Sequence, residues 1–239
     1  MLFSKRRLSR FTVPAVVLAL GITACGSSSN KSGSGGSAGN GVASKSPNGI
    51  VQAAVGALKG VRTVHVSGSV TSSGVPLTLD LSLVSGKGGT GSMSENGLAF
   101  QVVTTGNTVY IKGSDAFWSH FGGSTAAKLF HGKWLKAPAT GEFAALAELA
   151  NTQALFNKLL SSHGKLSKGS TTTVAGQPAV AVTDSSDGGT LYVATTGKPY
   201  PVELVKKGSS GGHISFDRFN QPVSLTAPAN AIDASKLGG

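Results

Sequence analysis

The chain has 239 residues, of which 39% are hydrophobic and 13% are charged, and its formal net charge is +11 at pH 7. That length and apolar content permit one folded domain, and the 34 glycines with few charges favour a β-rich protein that works outside the cytoplasm. Beyond residue 10 the basic residues are scattered, with Lys206 and Lys207 as the only adjacent pair, which argues against nucleic acid as a partner. Anionic lipid headgroups or envelope polymers suit this charge better, and a basic surface without a specific partner is the alternative.

The single cysteine, Cys25, excludes an internal disulfide and a metal site built from several cysteines. Four basic residues lie in the first ten positions, residues 11–20 ("FTVPAVVLAL") are apolar, and Ile22, Thr23 and Ala24 precede the cysteine. This order is typical of a secretion signal and resembles the bacterial lipobox. The resemblance implies cleavage between Ala24 and Cys25 and attachment of a diacylglyceryl group to the Cys25 sulfur.

We therefore predict that residues 1–24 are a lipoprotein signal peptide, the alternative being an ordinary signal peptide with an incidental cysteine. Residues 25–46 are predicted to be a lipid anchor followed by a flexible tether, because Gly and Ser cannot bury enough apolar surface to offset ordering. Such a tether has a typical reach of roughly 25 Å. The prediction places the chain on the extracytoplasmic face of the cell membrane.

Residues 47–239 are predicted to form a single domain that opens with a helix. Ser46 is a candidate N-cap, Pro47 suits the first helical position, and Gly60 is a stop signal. The stretches "VRTVHVSGSV" and "VPLTLDLSLV" then predict two strands joined by a short turn. In the second strand the apolar residues alternate with polar ones, which indicates one apolar face and one wet face.

The chain continues with three further predicted strands, "GTGSMS", "LAFQVVTT" and "TVYIKG". Four helices are predicted next, in "SDAFWSHF", "STAAKLF", "GEFAALAELA" and "NTQALFNKLL". The last third predicts six strands, in "KLSKGSTTTV", "QPAVAVTD", "GTLYVATT", "YPVELVKK", "GHISFDRF" and "QPVSLTAP". The predicted fold class is α+β, with a large curved antiparallel sheet of about eleven strands and helices covering one of its faces.

The residues offer little support for an enzyme. The five histidines are dispersed and none lies in an HExxH pattern, and no GxSxG motif is present. Asp184 and Asp187 lie in a Gly-rich turn, where turn formation accounts for them. We predict a protein that is not an enzyme and that uses no metal and no cofactor.

Several stretches together resemble a known family. "GKWLKAP" follows an "AFW" segment, "TVAGQPAVAVT" precedes "GTLYVATTGKPYPVEL", and the domain ends in "VSLTAPANA". With the lipobox and tether in front, this order resembles the actinobacterial LppX/LprA/LprF/LprG lipoproteins, which are related in fold to the LolA and LolB carriers. The resemblance covers roughly residues 47–235 and implies a half-barrel sheet with helices over a hydrophobic cavity.

The resemblance also implies a function, namely holding an acylated lipid or lipoglycan in that cavity and carrying it within the cell envelope. A membrane transporter is a possible partner. The alternative function is a surface lipoprotein that carries nothing: an envelope scaffold, an adhesin or a transporter-accessory subunit. A cavity able to hold an acyl chain distinguishes the two.

The candidate lining of the cavity consists of the alternating apolar residues of the first strands. The set is Val75, Leu77, Leu79, Leu81, Leu83, Phe100, Val102, Val109 and Ile111. Each methylene that leaves water contributes about 0.8 kcal/mol, so a chain of about sixteen carbons could gain on the order of 10 kcal/mol before entropy costs. The alternative is that this ladder is plain core beneath packed helices.

Overall fold

The computed structural model describes residues 39–237 with the exception of residues 73, 162, 187 and 210. Ser37–Gly239 forms a compact unit of its own. The predicted signal peptide, Cys25 and the first part of the predicted tether lie outside the described residues.

The described residues contain four α-helices and four short 3-10 helices. The α-helices are α1 (Pro47–Leu58), α2 (Asp115–Phe130), α3 (Ala144–Ala147) and α4 (Thr152–Ser161). The 3-10 helices are Val42–Ser44, Gly141–Phe143, Glu148–Ala150 and Ala234–Lys236. Helix α1 begins as predicted, because the Ser46 hydroxyl accepts a hydrogen bond from the Gly49 N–H at 3.2 Å and Pro47 occupies the first turn.

Twelve described strands form one open curved sheet. They are β1 (Thr63–Ser72), β2 (Val75–Val84), β3 (Gly88–Glu95), β4 (Leu98–Thr105), β5 (Thr108–Gly113), β6 (Leu135–Pro138), β7 (Leu166–Val174), β8 (Gln177–Asp184), β9 (Thr190–Ala194), β10 (Pro201–Lys206), β11 (Gly212–Asp217) and β12 (Ile232–Asp233). Their order is β12-β6-β5-β4-β3-β2-β1-β11-β10-β9-β8-β7, and every pair is antiparallel except β12 with β6. Two meanders, β1–β6 and β7–β11, are therefore joined by the pairing of β1 with β11. The predicted fold class is confirmed.

The core lies between one face of this sheet and the helices. Val64 of β1 pairs with Leu83 of β2, and both side chains are buried in the cluster that also holds Ile50 of α1 and Phe156 of α4. We call this covered side the concave face. The helices cover one side of the sheet, as the sequence predicted.

The predicted tether ends too late, because the folded unit already includes residues 39–46. Gly39 forms a β-bridge with Thr196, and the Asn40 side-chain amide donates to the Ala194 carbonyl at 2.9 Å. Val42 is 1% exposed and belongs to the core. Burial of the Val42 side chain, together with these two contacts, therefore holds the Gly- and Ser-rich segment against the domain.

The helical middle differs from the prediction in one segment. The two helices predicted around residues 114–130 are the two arms of α2, separated by Gly123 with φ 72° and ψ −174°. Residues 141–150, predicted as one helix, divide into 3-10, α and 3-10 turns. The Ala150 carbonyl accepts a hydrogen bond from the Gly86 N–H of the β2–β3 turn at 2.8 Å. This contact with the sheet replaces a hydrogen bond that a continuous helix would make.

The predicted strand "QPVSLTAP" is wrong, since residues 221–228 have no regular secondary structure. Pro222 and Pro228 have no N–H to donate to a ladder, and the Gln221 carbonyl accepts from the Thr63 hydroxyl at 2.6 Å. The chain instead pairs four residues later, where Ile232–Asp233 forms β12 alongside β6.

Candidate functional site

The concave face is covered unevenly along the strands. Where β1 begins, Val64, Leu83 and Val102 are between 0% and 4% exposed. Towards the other end the residues on the same face are only half-buried, namely Val66, Leu77, Leu79, Met93, Phe100, Leu204 and Ile214. We call this second end of the concave face the open end. It is an apolar surface that the helices leave partly accessible.

The structure places all nine predicted lining residues on the concave face. Leu81, Leu83, Val102, Val109 and Ile111 are buried core beneath the helices. Val75, Leu77, Leu79 and Phe100 are half-buried towards the open end. The ladder therefore divides into a packed part and an accessible part, and contact of these residues with a ligand stays a prediction.

Glycines keep the centre of this face shallow. In β3, Gly91 lies between Leu81 of β2 and Val102 of β4 in the register, and it adopts a φ of 151°. A Cβ at Gly91 would overlap the Asp80 carbonyl oxygen of the neighbouring strand, so the position requires glycine. The neighbouring position on this face, Gly89, lies under Leu149. Most of the side-chain volume that β3 adds here comes from Met93 at the open end.

A cleft opens at this end between α4 and the second meander. Its volume is about 190 Å³, and its floor is apolar, formed by residues such as Val182, Leu191 and Leu204. His163, Asp184 and Lys206 contribute polar groups to its wall. None of the nine predicted residues lines it, because they all belong to β2, β4 and β5. The alternating apolar residues of "QPAVAVTD", "GTLYVATT" and "YPVELVKK" were the signal that could have indicated this half of the face.

Another cleft, of about 290 Å³, lies along α4 and is lined by Glu148, Asn151, Ala154, Leu155 and Lys158. Ala154 and Lys158 are exposed, so this cleft faces away from the sheet core. Its polar and charged lining makes it a poorer place for an acyl chain than the cleft over β8–β10.

Asp184 is an ionised structural residue at the wall of the cleft over β8–β10. The Ser186 hydroxyl donates to its carboxylate at 2.6 Å, and the Gly164 and Ser186 N–H groups donate at 2.8 Å. These hydrogen bonds, with that of the Ser186 hydroxyl the strongest, lower the pKa of Asp184 to about 2. Asp184 thereby joins the end of β8 to the segment between α4 and β7, in keeping with the predicted turn role.

An aromatic cluster borders the open end on the side of α2. Phe117 lies 5.1 Å from Phe100 of β4 and 5.0 Å from Trp118, measured between ring centroids, and Trp118 lies 4.8 Å from Phe130. Among the described residues, two buried side-chain polar atoms lack a hydrogen-bond partner, Trp118 Nε1 of α2 and Thr152 Oγ1 of α4. Each of the two helices beside the open end therefore holds one unsatisfied polar atom, which costs about 1–3 kcal/mol in the packed state.

The opposite face of the sheet carries a polar cluster that the sequence did not reveal. His65 is 7% exposed, with Nδ1 2.6 Å from Asp217 Oδ1 and Nε2 3.0 Å from Asp80 Oδ1. These contacts connect β11, β1 and β2 at the junction of the two meanders. In the part of the chain that the structure describes, no group of histidine, cysteine and acidic residues has the arrangement of a metal site.

Among residues 39–237 as described, no helix combines the length and apolar character that a membrane-spanning segment needs.

Comparison with known proteins identifies the fold. No protein-family model matches the chain, and no curated protein matches it in sequence. The structure is similar to LprF from Mycobacterium bovis, with 17% identity, a TM-score of 0.53, and coverage of 82% of this chain and all of LprF. It also aligns with the lipoprotein LppX of Mycobacterium tuberculosis, with 16% identity, a TM-score of 0.49, and coverage of 75% and 98%. The chain has the fold of LprF.

Proposed function

We propose that this protein is an envelope lipoprotein that binds the acyl chain of a lipid or lipoglycan on its concave face and carries it within the cell envelope. In this proposal Cys25 is the acylated first residue of the mature chain, and residues 26–38 connect it to the domain. The intact mass of the protein isolated from membranes tests this part, because a chain that begins elsewhere or lacks the diacylglyceryl group contradicts it.

One observation carries the proposal: the sheet presents half-buried apolar side chains at the open end, where a fully packed domain would bury them. Leu79, Phe100 and Leu204 belong to this surface. A continuous apolar surface that stays partly accessible on a folded domain marks a place for an apolar ligand or partner.

The volume of the cleft indicates that binding requires the helices to move. Pockets for organic ligands have volumes of about 300–1,000 Å³, whereas the cleft over β8–β10 measures about 190 Å³. Displacement of α4, whose Leu159 and Leu160 line the cleft, would enlarge it and would give Thr152 Oγ1 access to a polar partner. The described structure is thus a closed form, and the acyl chain replaces the packing between sheet and helices.

A pair of variants in β2 tests where the acyl chain binds. Leu79→Glu places a carboxylate on the concave face at the open end, whereas Thr78→Glu places the same group on the exposed opposite face one residue away. We expect Leu79→Glu to weaken binding of a fluorescent acyl probe by at least about tenfold, because the charge must be desolvated next to the chain. Thr78→Glu should bind like the wild type.

Leu204→Glu extends the test to the other half of the face, since Leu204 lines the cleft. Equal binding by the wild type, Leu79→Glu and Leu204→Glu would contradict binding on the concave face. Absence of probe binding by the wild type would favour the scaffold, adhesin or accessory function instead.

A further inference from the structure

The two arms of α2 form a helical hairpin, which we call the α2 hairpin (residues 115–130). The chain reverses at Gly123, whose φ of 72° interrupts the helix. The two ends of the hairpin are close together, since His131 Nδ1 lies 2.8 Å from Asp115 Oδ1, and the arms contact through Trp118 and Phe130. The segment around Gly123 is therefore the tip of a projection.

This hairpin holds an unusual share of exposed apolar side chains. Phe121, which immediately precedes the tip glycines, is 64% exposed, and Leu129 on the second arm is 43% exposed. Among the described residues, one other large hydrophobic side chain is exposed, Leu237 near the end of the chain. A phenylalanine exposed to this degree contributes little to the stability of the fold. Its place on a projecting tip therefore favours contact with an apolar surface outside the domain.

The charges of the same segment are predominantly basic. Between residues 114 and 134 the sequence contains Lys128 and Lys133 but only one carboxylate, Asp115. The Asp115 carboxylate is already engaged with His131. Lys128 lies on the second arm and Lys133 follows the base of the hairpin, so positive charge lies behind the apolar tip. This arrangement matches the interface of an anionic bilayer, in which acyl chains lie beneath negative headgroups.

The aromatic residues connect this tip to the concave face. The ring of Phe121 lies 4.8 Å from that of Phe117, which lies 5.1 Å from Phe100 at the open end. An acyl chain that moves from a bilayer to the concave face along this series of rings would stay in contact with apolar side chains.

We propose that the α2 hairpin is a docking element that inserts Phe121 into the surface of an anionic lipid bilayer and aligns the open end with the membrane. The inference adds a membrane contact to the proposed function. It rests on that function only for the reason why the protein would make the contact. A protein partner is the weaker choice, because two exposed apolar side chains cannot supply the roughly 1,200 Å² or more that a stable protein interface buries.

The test is co-flotation with vesicles of phosphatidylcholine and phosphatidylglycerol in equal parts. A chain that begins at residue 26 lacks the predicted anchor and contains the whole compact unit Ser37–Gly239. We expect it to bind these vesicles, and Phe121→Ser to lower the partition coefficient about tenfold. Lys128→Gln should lower it about fivefold at low salt, and Phe121→Trp should retain binding.

Leu237→Ser is the matched control, because it removes an exposed large hydrophobic side chain far along the chain and should leave vesicle binding unchanged. Equal binding by the wild type and Phe121→Ser, or no vesicle binding by the wild type, would overturn the proposal. Self-association that depends on Phe121 in the absence of vesicles would also overturn it, in favour of a second copy as the partner. Acyl-probe binding in solution, measured on the same variants, separates this outcome from failure of the proposed function, because Phe121→Ser should bind the probe like the wild type.

Discussion

At the scale of single residues, Asp184 makes the stability of the domain depend on pH. Its pKa is about 2 in the folded protein, against about 3.9 in an unfolded chain. Because the folded value is depressed, the unfolded state binds more protons between these values. The contribution of Asp184 to stability is therefore complete above about pH 5 and is lost as the pH falls towards 2.

We predict that Asp184→Asn lowers the stability of the domain at neutral pH and that the difference from the wild type shrinks as the pH falls from about 5 to 2. Urea denaturation across this range measures it. Ser186→Ala is the matched variant: it keeps the carboxylate but removes its strongest hydrogen bond, so the pKa of Asp184 should rise towards its ordinary value in an NMR titration. A pH-independent difference between Asp184→Asn and the wild type would contradict the account.

Some residue roles are predictable because they are local. The helix cap at Ser46 follows from short-range sequence preferences. So does the turn at Asn96 and Gly97, two residues that adopt positive φ values. The contacts of His65 with Asp80 and Asp217 could not be predicted in the same way. They join residues 15 and 152 positions apart, and only the register of three strands brings them together.

At the scale of elements, β3 requires glycine at position 91 to pair with β2 and β4. We predict that Gly91→Ala destabilises the domain by at least about 2 kcal/mol, because the new Cβ meets the Asp80 carbonyl and the residue must hold a φ of 151°. Thermal or chemical denaturation measures the change in the free energy of unfolding.

The same substitution in a helix provides the control. Gly56 lies exposed within α1, and no atom would lie within 4 Å of a Cβ there. Gly56→Ala should therefore stabilise the protein by up to about 1 kcal/mol through helix propensity. If Gly91→Ala also proved neutral or stabilising, the described pairing of β3 with β2 would be wrong.

Elements with strong periodicity were predictable, whereas elements set by tertiary contacts were not. The alternation in β2 and the cap of α1 identify a strand and a helix without further information. Residues 141–150 have the composition of a helix, but the Gly86–Ala150 hydrogen bond ties their end to the sheet. Residues 221–228 resemble a strand, but Pro222, Pro228 and the bond to Thr63 remove them from the ladder.

At the scale of the whole molecule, the two meanders divide the concave face into two halves. The sequence predicted hairpin neighbours, but the pairing of β1 with β11 spans the length of the domain and has no local signal. That pairing places β8–β10 beside the predicted ladder, and the cleft lies over them. The nine predicted residues therefore lie on only one half of the concave face, and their contact with a ligand stays a prediction.

The central claim is that the concave face holds an acyl chain, and native mass spectrometry tests it most directly. Residues 26–239 would be exported behind a cleavable signal peptide without a lipobox and purified from the bacterial envelope without detergent. The bound lipids would then be identified after gentle extraction. We predict one acylated lipid or lipoglycan per chain in the wild type and little or none in Leu79→Glu. A wild-type protein that carries no lipid and binds no acyl probe would contradict the claim.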